Sequence, residues 1–75
     1  MTNNFAHNIR YLRKLNHLNQ TQLAQIVGKS KKTVSAWENN SRTPLVEDVY
    51  VLAKYFNLDM ETLYFGEVYN ADLQG

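Results

Sequence analysis

A chain of 75 residues without a cysteine can bury one small core, and its composition excludes a disulfide framework and any thiolate metal or redox centre. The net charge of +1 conceals a division: residues 1–42 hold seven cations (Arg10, Arg13, Lys14, Lys29, Lys31, Lys32 and Arg42) against Glu38 alone, a net +6, and residues 43–75 hold Lys54 against six acids, a net −5. Such asymmetry points to one half facing a polyanion and the other facing away, the bland alternative being two solvated faces that differ.

Residues 4–17 are predicted as the first helix, because Phe5, Ile9 and Leu12 fall at i, i+4 and i+7 with Leu15 close to the same face. His7 and His17 are too far apart to share a helix face, and no acidic or cysteine cluster accompanies them, so no metal site is expected. Asn16-His17-Leu18-Asn19 makes a turn with Leu18 as the apolar plug beneath it. A second helix is predicted over 20–27. Asn19 caps it with Gln22 three residues on, and Leu23, Ala24 and Val27 form its apolar stripe. Gly28 stops it, since glycine takes a left-handed C-cap without a Cβ penalty.

Ser30 caps a third helix over 31–39, which turns Val34 and Trp37 inward. Ala24 is small enough to let this helix cross the second closely. Two short helices around a glycine turn make a helix-turn-helix. Lys31, Lys32, Thr33, Ser35 and Ala36 are left outward on the third helix, a short, basic and hydroxylic set that suits the major groove of DNA better than a solvated face. Asn40 tolerates left-handed geometry, and Ser41 to Pro44 form a loop with Thr43 as N-cap and Pro44 at the first helical position. Arg42 on that loop is either a phosphate contact or a solvated charge.

The fourth helix is predicted over 44–56, burying Leu45, Val49, Leu52, Ala53 and Phe56. Asn57 ends it, Leu58 plugs the core, and Asp59 caps a short fifth helix over 60–65 with Leu63 inward. No strand pattern, internal repeat or low-complexity segment is present. Past Gly66 the tail has weak structure signals, yet Tyr64, Phe65, Val68 and Tyr69 crowd apolar surface into the acidic half. They either fold back as extra core or form an interface, and the interface is favoured because five helices already hold enough apolar residues. No apolar run approaches a membrane span and the opening MTNNFAHN lacks a signal peptide's apolar segment, so a soluble, cytoplasmic chain is expected.

The pattern Gln20-x-x-x-Ala24-x-x-x-Gly28, followed by Val34 and Trp37-Glu38-Asn39, resembles the Cro and phage-repressor (XRE-like) type of helix-turn-helix protein over roughly residues 5–66. The resemblance implies a compact, all-α, five-helix, lambda-repressor-like domain in residues 1–66. It leaves 67–75 as a C-terminal tail that serves as a dimerisation segment or a linker. It also implies that Arg13 of the first helix pairs with Glu38, whose place near a helix C-terminus is poor for a lone negative charge.

Function follows from the same resemblance. A homodimer binds double-stranded DNA at a palindromic operator, with the third helix in the major groove. Gln20, Thr21 and the backbone at the start of the second helix hold a phosphate. Lys31 and Lys32 donate to guanine or phosphate, Thr33 and Ser35 bond base edges, Ala36 touches a thymine methyl, and Asn39 and Arg42 clamp the backbone. Lys31 and Lys32 stand where phage relatives often carry glutamines, so the operator sequence does not carry over. The alternative reading is an antitoxin-type interaction module with autoregulatory DNA binding, its aromatic end taking a second protein. No catalytic Ser/His/Asp set, phosphate-binding glycine loop or metal cluster is present, so neither enzyme activity nor a cofactor is expected.

Overall fold

The local sequence signals are strongest around the turn at Gly28, and there the computed structural model, which describes residues 3–70, follows them closely. Helix α2 runs Gln20–Val27 and α3 runs Lys31–Glu38; α1 (Phe5–Leu15) precedes them, and α4 (Val46–Phe56) and α5 (Met60–Phe65) follow. Asn19 and Gln22 close a reciprocal box at the start of α2, each side chain bonding the other's backbone N–H at 2.8 Å. Gly28 ends α2 at φ 69°, and Ser30 Oγ accepts the Thr33 N–H to open α3.

Four helix ends and one cap differ from expectation: α1 begins at Phe5 and not at 4, and α3 ends at Glu38 and not at 39. Helix α1 stops at Leu15, because His17 adopts φ 58° and Leu18 N–H returns to the Arg13 carbonyl at 2.9 Å, so Leu15 is left exposed. Helix α4 begins at Val46, not at Pro44. The Asp48 carboxylate accepts the Leu45 N–H at 3.0 Å and makes Leu45 the capping position, which leaves the Leu45 side chain 55% exposed instead of buried. Asp59 precedes α5 as expected but makes no side-chain capping bond. Asn40 and Asn57 both take left-handed backbone, at φ 66° and 60°.

Trp37 stands at the centre of the core, edge-on to Phe5 with ring centroids 5.8 Å apart. Around them Ile9, Leu12, Leu23, Val34, Val49, Leu52 and Leu63 are buried, each worth about 1.5–3 kcal/mol of transfer free energy when fully withdrawn from water. Helix α3 packs on α1 and α2, and α5 closes the other side against α1 and α4. Ala24, on α2, is buried. The core therefore holds α3 by its Val34 and Trp37 side and leaves its other side outward.

The C-terminal segment is laced to α1 by asparagines. Asn4 bonds the carbonyls of Phe65 and Gly66, and its N–H bonds the Tyr64 carbonyl at 2.8 Å. Asn8, wholly buried, donates to Leu63 O at 2.7 Å and Gly66 O at 2.9 Å and accepts from Tyr69 N–H at 3.1 Å. These donors answer the carbonyls at the end of a short helix that would otherwise be orphaned. The chain is thereby drawn back onto α1: Tyr64 packs on Phe5, Val68 on the core and Tyr69 on His7. Of the four residues expected to form an interface, Tyr64, Val68 and Tyr69 are thus half-buried within the chain, and Phe65, edge-on to Tyr64, remains 46% exposed. Of the tail at 67–75, residues 71–75 lie outside the described residues, as do residues 1–2 of the domain expected over 1–66.

Candidate nucleic-acid interface

At about 100° per residue, the side of α3 opposite Val34 and Trp37 carries Lys32, Ala36 and Asn39, with Lys31 and Ser35 beside them. These residues and Ser30 line an open groove of about 650 Å³ along the helix. Lys31 and Lys32 are exposed, and Ser35 and Ala36 are half-buried within the groove. Thr33 lies apart from this set. Its hydroxyl is 3.2 Å from Ser30 Oγ and 3.5 Å from an Arg42 guanidinium nitrogen, so it faces the loop after α3 and not the middle of the groove.

The loop is held by short backbone ties. Asn39 Oδ1 accepts the Ser41 N–H at 3.0 Å, and the Ser41 and Arg42 N–H groups both return to the Ala36 carbonyl. Arg42 is therefore carried at a defined place on one flank of α3. On the other flank stands the N-terminal turn of α2 with Gln20 and Thr21; Thr21 is exposed, and the Gln20 amide donates to Glu38 Oε1 at 3.2 Å.

Glu38 is enclosed by this arrangement. Arg13 Nε reaches Glu38 Oε2 at 2.6 Å, Nη2 reaches Oε1 at 2.9 Å, and Nη1 donates to the Leu18 carbonyl at 2.9 Å. Such a two-pronged geometry suits the planar guanidinium. The bond to Glu38 raises the Arg13 pKa above its ordinary value against the opposing effect of burial. One pair thus ties α1, the turn before α2 and the end of α3 into a rigid frame.

Two polar residues that matter to this frame were not singled out in the sequence. Asp48 is 5% exposed and Asn8 is fully buried. Both interrupt otherwise apolar faces at helical spacing, which is the signal they left. Among the described residues no group of His, Asp and Glu is arranged to hold a metal, and no helix is long and apolar enough to cross a membrane.

A five-helix domain that turns a basic, hydroxyl-bearing helix outward from a glycine-linked helix pair defines the repressor class of helix-turn-helix fold. Residues 9–63 match the helix-turn-helix family, and the chain belongs to that family. It is 34% identical over 68 residues to the cryptic phage CTXphi transcriptional repressor RstR of Vibrio cholerae, covering 91% of this chain and 61% of that repressor. Among solved structures it is similar to the P22 c2 repressor in complex with a synthetic operator, with 28% identity, a TM-score of 0.78, and 84% and 96% of the two chains covered. A transcriptional regulator from Listeria innocua superposes with a TM-score of 0.81 at 30% identity, over 99% of this chain and 72% of that one.

Proposed function

We propose that this protein is a sequence-specific DNA-binding transcriptional regulator of the repressor kind, acting in the cytoplasm as a homodimer on a palindromic operator. The outward face of α3 carries the reading: two lysines, a serine and an alanine along one open groove, with Arg42 and the start of α2 on its two flanks. A repressor of similar fold solved on its operator supports it.

In the major groove, Lys32 and Lys31 donate to guanine O6 and N7 or to phosphate, Ser35 bonds a base edge, and Ala36 accommodates a thymine methyl. Thr33 meets base edges from the Arg42 side. Gln20, Thr21 and the first N–H groups of α2 receive a phosphate on one flank, and Arg42 with Asn39 receives one on the other. Two subunits read half-sites about one helical turn apart. Occupying a promoter excludes polymerase.

Selection from a random duplex pool tests this directly. The expected product is an inverted repeat, bound by a species of twice the chain mass. Two or three lysine and arginine contacts per subunit give a log–log salt slope of about −4 to −6 per dimer from this set alone. Failure to enrich any sequence, or an affinity indifferent to salt, overturns the proposal.

An antitoxin-type module, with DNA binding as autoregulation, is the second reading. It is favoured by the apolar side chains that α4 leaves exposed, Val46 at 77% and Tyr50 at 52%. A protein that stays monomeric alone, and on a palindromic duplex, shifts the balance to it.

A further inference from the structure

Behind the end of α3 lies a second cleft, of about 330 Å³, lined by Arg10, Lys14 and Gln20, by the Arg13 and Glu38 pair, and by Ser35 of α3 with Asn39 just after it. Ser35 and Asn39 also line the groove of α3, so the two depressions lie side by side. Arg10, Arg13 and Lys14 fall at i, i+3 and i+4 and share one face of α1. Arg13 is committed to Glu38, and the Glu38 charge is thereby neutralised within the pair. Arg10 and Lys14 are different. Both are exposed, and among the described residues neither has an ion pair or a side-chain hydrogen bond. Two uncompensated cations therefore front a cleft that opens onto the candidate reading helix.

The flank on which they lie decides what they meet. Ser35 and Thr33 are two positions apart on α3, so at about 100° per residue they point to nearly opposite flanks. Ser35 belongs to the Arg10 and Lys14 side, and Thr33 belongs to the Arg42 side. A helix lying in a major groove has one phosphate backbone on each flank.

We propose that Arg10 and Lys14 form a second phosphate-binding wall on α1, which grips the DNA strand opposite the one held by Arg42. The inference rests on the DNA-binding reading above and deepens it: α3 is clamped between two cationic walls, one on each strand. The α1 wall supplies affinity and orientation, and no base readout.

The test compares wild type, Arg10→Ala/Lys14→Ala and Arg42→Ala on the selected duplex across salt concentrations. Two further contacts per subunit steepen the wild-type slope to about −8 to −10 for a dimer, at about −0.9 per phosphate contact. The α1 double variant returns to about −4 to −6 while keeping the same preferred sequence. Its circular dichroism and melting stay near wild type, since neither side chain is bonded within the described fold.

Neutral methylphosphonates placed one at a time along each strand then separate the walls. Within each half-site, the α1 variant becomes indifferent to those at the phosphates next to the one held by the start of α2, all on one strand, and Arg42→Ala to one on the other strand. If, within one half-site, both variants lose sensitivity on the same strand, or if the α1 variant keeps the wild-type slope while Arg42→Ala flattens it, the α1 wall is refuted and the DNA reading stands. If wild type binds no duplex, both fall together.

Discussion

Asp48 and Lys29 join the start of α4 to the turn between α2 and α3. One carboxylate oxygen of Asp48 accepts the Leu45 N–H at 3.0 Å, and the other lies 3.5 Å from Lys29 Nζ. Asp48 is 5% exposed, so its charge has little water to fall back on, and Lys29 with the capping N–H supplies the compensation. The same carboxylate fixes where α4 begins and anchors the far end of the loop that carries Arg42.

Asp48→Ala should therefore cost about 1–3 kcal/mol, because it strips both a capping bond and an ion pair from a buried site. Asp48→Asn keeps an acceptor for Leu45 N–H and should cost less. Urea unfolding of the two variants checks the order. Equal stability of both with wild type would show the carboxylate to be incidental.

That residue also shows where the sequence was legible and where it was not. The ends of α2 are legible because each is decided by neighbours in the chain: Asn19 with Gln22, and Gly28. Trp37, Val34 and Ile9 follow helical spacing into the core. The start of α4 is not legible, because Thr43-Pro44 is a sound opening by itself and the winning acceptor lies further on at Asp48. Asn8 is illegible for a different reason. Its partners, the carbonyls of Leu63 and Gly66, are 55 and 58 residues away, and no local pattern announces them. The same distant bonds explain why Tyr64, Val68 and Tyr69 turned inward. At the candidate interface, spacing showed which α3 residues face outward, but not that the Thr33 hydroxyl lies against Ser30 and Arg42.

Arg13→Ala should destabilise the fold by about 1–3 kcal/mol, and Lys14→Ala should not, although the two are adjacent. Arg13 bridges Glu38 and the Leu18 carbonyl, with side chains 12% and 6% exposed in the ion pair. The raised pKa of Arg13 gives stability that is fully present below its unfolded value and is lost only as pH climbs through its folded one. Both lie far into alkali, so the difference between the variants should stay constant from pH 6 to about 9. Melting curves across that range measure it. Equal melting temperatures would return Arg13 to the solvated surface.

Lys32→Ala and Ser35→Ala should each relax preference at one base position per half-site, costing about 1–3 kcal/mol against the best site. Both lie in the groove along α3. Binding is measured on the selected duplex and on its single-position variants. Equal loss on selected and random DNA would make these residues phosphate contacts.

Dimerisation, if it uses the C-terminal end, has to use Phe65. Helix α3 faces DNA in the proposed complex, so a two-fold partner attaches elsewhere. Tyr64 lies against Phe5 at 6.0 Å between ring centroids, Val68 packs on the core, and Tyr69 pairs with His7, whereas Phe65 stands edge-on to Tyr64 with nearly half its surface in water. Aromatic anchors in small interfaces typically cost about 2 kcal/mol or more when truncated. Phe65→Ala should accordingly shift the protein toward monomer and lower operator affinity steeply, while its helical content and melting stay near wild type. Tyr64→Ala should behave differently, losing stability first because its ring is part of the packing around Phe5. Sedimentation at several concentrations, with circular dichroism as the folding control, separates the two. A wild-type chain that remains monomeric at the highest concentration, or a Phe65→Ala variant that sediments as wild type does, would remove Phe65 from the interface and send the search to the exposed Val46 and Tyr50 of α4.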